Sequence, residues 1–226
     1  MKRILLTVAV GAAALILASP AAAQIVGSVH DLTTAGGAFS TTGDTAEVCV
    51  FCHTPHGSDI AAGPLWNRQT DNTGFTMYDS NTIDMTIAVA PQGVSLACLS
   101  CHDGTIGFDV LINAPTSVSG TYNYSAGGAD QAWTFTGADN LGGQGFPTEL
   151  GKDLSSEHPI SVTYDPVQDP DFDTIGNAET NGIVFYGGGG DQVECGSCHD
   201  PHDITNVPFL RISNAASAVC TACHIK

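Results

Sequence analysis

One five-residue pattern, Cys-x-x-Cys-His, accounts for every cysteine in the sequence. It occurs four times, at 49–53, 98–102, 195–199 and 220–224, and uses all eight cysteines. A disulfide framework or a zinc site also uses paired cysteines, but neither requires a histidine after every pair. The four pentapeptides, called the first to fourth motif below, are therefore best explained as copies of one chemical unit.

Each motif has the spacing that attaches a c-type haem. Residues i and i+3 of a helical turn share a face, so both thiols can reach the two vinyl groups at one porphyrin edge. The histidine that follows can bind the iron as its proximal ligand. The sequence predicts four covalent haem c groups. Their thioether cysteines are Cys49, Cys52, Cys98, Cys101, Cys195, Cys198, Cys220 and Cys223, and their proximal ligands are His53, His102, His199 and His224.

Four histidines remain for the distal side of the irons: His30, His56, His158 and His202. Four irons and four spare imidazoles match in number, which predicts that a histidine closes each iron. His56 and His202 each follow the proximal histidine of a longer CxxCHxPH motif by three residues. Such residues project from one face of a turn, whereas the two ligands of one iron lie on opposite sides of the ring. His56 and His202 are therefore expected to bind a different haem, which brings haems nearly into contact.

The sequence divides into two modules of the same design. Each contains an upstream histidine, one CxxCHxPH motif and one plain CxxCH motif. We place the first dihaem module at 24–112, a Gly/Asn/Thr-rich connector at 113–157 and the second dihaem module at 158–226. Short apolar pieces at 108–112, 160–164 and 183–186 predict brief strands, and long helical periodicity is absent. The predicted fold class is mostly irregular, with a few short helices at the motifs and a few strands, wrapped around a row of haems.

Residues 1–23 have the features of a secretory signal peptide. Lys2 and Arg3 precede an apolar run at 4–18, and an A-x-A site ends at Ala23. Removing this segment changes the formal net charge from −17 to −19. Such a charge excludes nucleic acid as a partner and opposes binding to an anionic membrane. No later segment is apolar enough for a membrane span. The sequence predicts an exported protein.

The motifs resemble those of the multihaem c-type cytochromes with doubled CxxCH motifs, over residues 49–56, 98–102, 195–202 and 220–224. This resemblance implies low-spin bis-histidine haems, low reduction potentials and electron transfer in place of enzyme catalysis. An exported acidic tetrahaem chain also resembles the extracellular cytochromes that polymerise into conductive filaments, or nanowires. In such filaments a histidine of one subunit can complete a haem of the next, and His30 and His56 are the candidates. The implied partners are copies of the chain, redox proteins and extracellular electron acceptors.

Two other functions stay open at this point. A soluble periplasmic tetrahaem shuttle shares all of the haem chemistry and differs only in its assembly. A multihaem reductase of a small nitrogen or sulfur oxyanion needs one open iron and nearby basic side chains. Only Arg68, Lys152 and Arg211 are internal basic residues of the mature chain.

An acidic loop suggests calcium as a further ligand. It contains Asp165, Asp169, Asp171 and Asp173. An EF-hand that began at Asp169 would need Gly at its sixth position and Glu at its twelfth, where this sequence has Thr174 and Thr180. The pattern therefore favours a solvated loop over a calcium site.

Overall fold

The structure is a computed structural model that describes residues 24–32, 47–105, 111–113 and 150–225. The predicted signal peptide and most of the predicted connector lie outside these residues, and the domain boundaries stay a prediction. The described backbone is mostly turns and irregular segments, which confirms the predicted fold class at this level. Within the described ranges, no helix has the length and apolar character to cross a membrane.

The described regular structure consists of short helices and one small sheet. The α-helices are α1 (Gly93–His102), α2 (Ile175–Thr180), α3 (Cys195–Cys198) and α4 (Ala218–Thr221), with 3-10 helices at Val48–Phe51 and Ala215–Ser217. The strands are β1 (Thr86–Ile87), β2 (Val162–Thr163) and β3 (Gln192–Val193). They form an antiparallel sheet in the order β1-β2-β3, with Val162 opposite both Ile87 and Val193.

The strand predictions agree with the structure in part. β2 lies inside the predicted piece at 160–164. The piece at 183–186 forms one isolated bridge, between Tyr186 and Gln192, because Ile183 and Phe185 turn into the apolar core. Most of the piece at 108–112 lies outside the described residues. β1 and β3 have only two residues each, too few for an alternating pattern to reveal them.

The four motifs each form one helical turn, as the sequence predicts. The backbone N–H of His53, His199 and His224 donates to the carbonyl of the cysteine four residues earlier, at 2.8, 3.0 and 2.9 Å. The second motif forms the last turn of α1. Both cysteines and the histidine of each motif are therefore held on one compact turn.

A small apolar core packs around the sheet. It contains Met85, Val162, Tyr164, Ala178, Ile183, Phe185 and Ala222. A second group, Ala62, Leu96 and Ala97, packs against Trp66 beside α1. Because both apolar groups are small, polar side chains make many of the other contacts between the helices and strands.

A buried polar contact joins α1, α3 and the sheet. We call Glu194, Ser95, Ser161 and Ser197 the Glu194 cluster; all four are buried. The hydroxyls of Ser95 and Ser161 donate to Glu194 Oε2, the latter at 2.9 Å. Ser197 Oγ accepts from the backbone N–H of Glu194 at 2.9 Å, which completes a capping box at the start of α3. Burial raises the pKa of the Glu194 carboxyl.

Glu194→Ala is expected to lower the free energy of unfolding by about 2–4 kcal/mol, because it leaves two serine hydroxyls in a buried site without their carboxylate acceptor. The measurement is a urea unfolding curve of the holoprotein, followed by circular dichroism. Glu179→Ala, at an exposed position of α2, is the control and should change little. Equal losses for the two variants would contradict the role given to the cluster.

The pH dependence of stability should also reveal Glu194. The pKa of Glu194 is raised in the folded state. Its contribution to the free energy of unfolding is therefore complete below the ordinary glutamate pKa and declines as pH rises through the raised value. Glu194→Gln carries no charge and should flatten that decline at pH values above the ordinary glutamate pKa. The assignment would be refuted if the free energies of unfolding of the two proteins changed with pH in the same way.

Candidate functional site

The eight cysteines are all free thiols in the structure. The described residues therefore contain no disulfide framework built from the motifs. In the same ranges, no group of three or more histidine, cysteine or carboxylate side chains is arranged to hold a metal ion. The carboxylates of the acidic loop instead accept local hydrogen bonds, such as that from Val167 N–H to Asp165 Oδ1 at 2.9 Å.

Successive motifs have cysteines that lie close enough to affect one another. Burial and the neighbouring Cys101 thiol raise the pKa of Cys52 to about 12, which places the first motif beside the second. A hydrogen bond to Cys195 and burial raise the pKa of Cys98, which joins the second motif to the third. Burial, Cys195 and Cys220 raise the pKa of Cys198 at the junction of the third and fourth motifs. Cysteines of successive motifs are thus neighbours.

Two pairs of histidine rings have the separation of two ligands on one iron. The ring centroids of His53 and His202 are 6.0 Å apart, and those of His30 and His102 are 6.2 Å apart. Two imidazole nitrogens on opposite sides of one metal lie about 4 Å apart, and each ring centre lies about 1 Å further out, which gives about 6 Å. The residues present therefore fit a haem iron between each pair.

The two pairs lie next to each other. His30 belongs to one pair, and burial followed by the nearby His102 and His202 lowers its pKa to about 4. Burial and then His202 lower the pKa of His53. An imidazole with a lowered pKa is neutral at ordinary pH, which is the form that binds a metal.

Three other contacts orient imidazoles through their Nδ1 atoms. His199 Nδ1 lies 2.8 Å from the carbonyl oxygen of Pro208, and His158 Nδ1 lies 3.0 Å from that of Pro159. His202 Nδ1 lies 3.2 Å from Asp200 Oδ1. A carbonyl or carboxylate oxygen can only accept, so Nδ1 donates and Nε2 is left with a lone pair for iron.

The structure leaves some of the predicted ligands apart. His56, His158 and His199 are exposed, and in the described part of the chain no second imidazole stacks on them. His224 lies in the fourth motif with its ring centroid 4.2 Å from that of Phe172. The predicted distal residues therefore fall into two groups: His30 and His202 face a proximal histidine, and His56 and His158 do not.

Two contributors to the site escaped the sequence analysis. Phe209 stacks on the His30 ring, with centroids 4.5 Å apart and planes 21° apart. Asp200 contacts both His202 and Arg211, at 3.2 and 3.3 Å. The Asp-Pro-His order of residues 200–202 was a signal for Asp200, because a carboxylate two residues before a ligand can reach its Nδ1. No sequence signal marks Phe209, whose contact is long-range.

Comparison with known protein families adds a match in the C-terminal part of the chain. A family described as "Doubled CXXCH motif" matches residues 189–226, which contain the third and fourth motifs. No curated protein matches the chain. The match indicates covalently bound c-type haem and favours an electron carrier over an enzyme. Over these residues the chain is similar to the multihaem c-type cytochromes.

Proposed function

We propose that the chain is a tetrahaem electron carrier that works in an extracellular filament built from copies of itself. When bound, haem c supplies a one-electron couple at its iron. The chain supplies the ligands and their spacing. All eight histidines have a part in this proposal, four as proximal and four as distal ligands.

The observation that carries the proposal is the pair of ring separations near 6 Å. It supports His53 and His202 as the axial ligands of the haem at the first motif. It likewise supports His102 and His30 at the second motif. His202 then serves a haem of the other module, in keeping with the face argument from the sequence. The closeness of cysteines in successive motifs supports haems that lie near one another.

The modular design assigns the remaining ligands. His30 precedes the first module and faces the plain motif of that module, at His102. His158 precedes the second module in the same way, so we assign it to the haem of His224. His56 is then the distal ligand that remains to be assigned, and the haem of His199 is the one that still lacks a distal ligand.

The basic residues argue against a reductase of small oxyanions. Arg68 has no exposed surface, and its Nη2 donates to Ser100 O at 3.4 Å. Arg211 donates to Gly196 O at 2.6 Å and also contacts Asp200. Lys152 binds Asp71 at 2.7 Å. These three cations are engaged in structural contacts, so they are poorly suited to binding a substrate anion.

A periplasmic shuttle is the alternative that shares the haem chemistry, and the state of assembly separates the two.

Removing a distal ligand should open one iron. We expect pyridine haemochrome analysis to give four haems per chain, with low-spin spectra and reduction potentials below the hydrogen reference, since no methionine ligand raises them. His202→Ala and His30→Ala should each bind one additional carbon monoxide per reduced chain relative to the unchanged protein, and the double variant two. A haem count below four, or single variants that bind no additional carbon monoxide, would contradict the assignments.

The Asp200 carboxylate should tune the potential of one haem. Hydrogen bonding to a carboxylate makes an imidazole more electron-donating, which favours the ferric iron. Asp200→Asn is therefore expected to move one of the four couples to a more positive potential in a spectroelectrochemical titration. Asp203→Asn is the matched control, because that carboxylate accepts from Thr205. The role of Asp200 would be disproved by four couples that stay in place, or by equal effects of the two variants.

A further inference from the structure

A positive charge without contact to solvent lies between the first and second motifs. Arg68 is 0% exposed, and in the part of the chain that the structure describes it is the only buried arginine or lysine. We infer that the Arg68 guanidinium raises the reduction potentials of the haems at the first and second motifs. The inference rests on the proposed function, because it requires a haem at each of these motifs.

Hydrogen bonds on two sides connect Arg68 to both motifs. The backbone N–H of Asn67 donates to Cys52 O at 2.9 Å, which fixes the residue before Arg68 against the first motif. On the other side, Arg68 Nη2 donates to the carbonyl oxygen of Ser100 at 3.4 Å. Ser100 directly precedes Cys101 in the second motif. The backbone of Arg68 is therefore held at one motif, and its side chain reaches the other.

The thiols of Cys52 and Cys101 both respond to this charge. Burial raises the pKa of Cys101, and Arg68 has the largest effect in the opposite direction. Burial and then Cys101 raise the pKa of Cys52, and Arg68 again opposes the rise. In the holoprotein these two sulfurs form thioether links that hold the edges of two porphyrins. A charge close enough to act on both sulfurs is therefore close enough to act on both haems.

A buried cation favours the reduced state of a nearby haem. Reduction adds one electron, and a fixed positive charge stabilises that added negative charge. The effect is strong in the protein interior, where the dielectric constant is low and dissolved salt screens little. Haem binding can only add to the burial, because the protein by itself already covers Arg68. An electron is therefore expected to spend more time on these two haems than it would without the cation.

Two carboxylates act in the opposite direction, one at each haem. Asp103 is buried at the second motif and raises the pKa of Cys101, with a smaller effect than that of Arg68. Asp200 contacts His202, the distal ligand assigned to the first haem. Arg68 acts on both haems, whereas each carboxylate lies beside one of them. Variants of the three residues should therefore differ in the number and direction of the potentials that they change.

The experiment is a spectroelectrochemical titration of the holoprotein. Arg68→Gln removes the charge and is expected to move two of the four couples to more negative potentials. Lys152→Gln is the matched control, because it makes the same change in formal charge at a partly exposed ion pair with Asp71. Solvent screens that pair, so Lys152→Gln should move the couples less. Asp103→Asn should move one couple in the positive direction.

Ligand variants identify the haems that respond. His202→Ala and His30→Ala are expected to open the irons of the first and second motifs, and each open, high-spin haem can be followed by its own absorption spectrum. Arg68→Gln added to either variant should lower the potential of that haem.

The conservative variant Arg68→Lys separates the charge from the shape of the side chain. Arginine stays protonated in proteins, whereas a buried lysine can lose its proton. At low pH, where the introduced lysine is charged, the two couples should lie near those of the unchanged protein. As pH rises, they should fall toward those of Arg68→Gln, and this fall should exceed any pH dependence of the unchanged protein.

The outcomes separate this inference from the proposed function. The inference is overturned if all four couples of Arg68→Gln stay in place, or if all four move equally. If Arg68→Gln binds fewer than four haems, Arg68→Lys decides: couples with the pH dependence of the unchanged protein overturn the inference. Loss of haem in both variants assigns Arg68 a structural role and overturns it as well. A haem count below four in the unchanged protein overturns the proposed function itself.

Discussion

The buried carboxyl of Glu194 is the contact on which the arrangement of the motifs most depends. It accepts hydrogen bonds from Ser95 in α1 and Ser161 beside the sheet, and it begins α3 through its capping box. Ser95 Oγ in turn accepts from the backbone N–H of Cys195 at 2.9 Å. The second and third motifs are thereby fixed against each other. In a chain with a small apolar core, a fully satisfied buried polar group of this kind specifies geometry that apolar packing alone would leave loose.

A second layer of contacts determines how the imidazoles point. Backbone carbonyls of Pro159 and Pro208 and the carboxylate of Asp200 each engage an Nδ1 atom. Two of these partners follow from local geometry, because His158 and His202 have their acceptors within two residues along the chain. In each of these rings the lone pair of Nε2 is thus left for a metal. Stacking of Phe209 on His30 restrains the ring that has no such Nδ1 contact in the described structure.

The sequence predicted the chemistry of the site better than its geometry. Four helical turns at the motifs and the irregular backbone follow from the Cys-x-x-Cys-His spacing and from the Gly-rich, weakly periodic sequence, because both are local properties. The face argument also predicted that His202 reaches away from its own motif. That it meets His53, nearly 150 residues earlier in the numbering, could not be predicted, because such a pairing depends on how α1, α3 and the sheet pack. The same holds for Phe209 on His30 and for the two-residue strands β1 and β3.

The pairing of His53 with His202 has a consequence for biogenesis. A chain made from its N-terminus presents residue 53 well before residue 202, so a haem attached at the first motif would lack its final ligand until the C-terminal half has been made and has folded. During that interval the iron would be accessible to oxygen and small ligands. Ligation of the first haem would then be completed only when the C-terminal half has folded. A truncated chain would leave that iron open to small ligands, whereas the complete chain would close it.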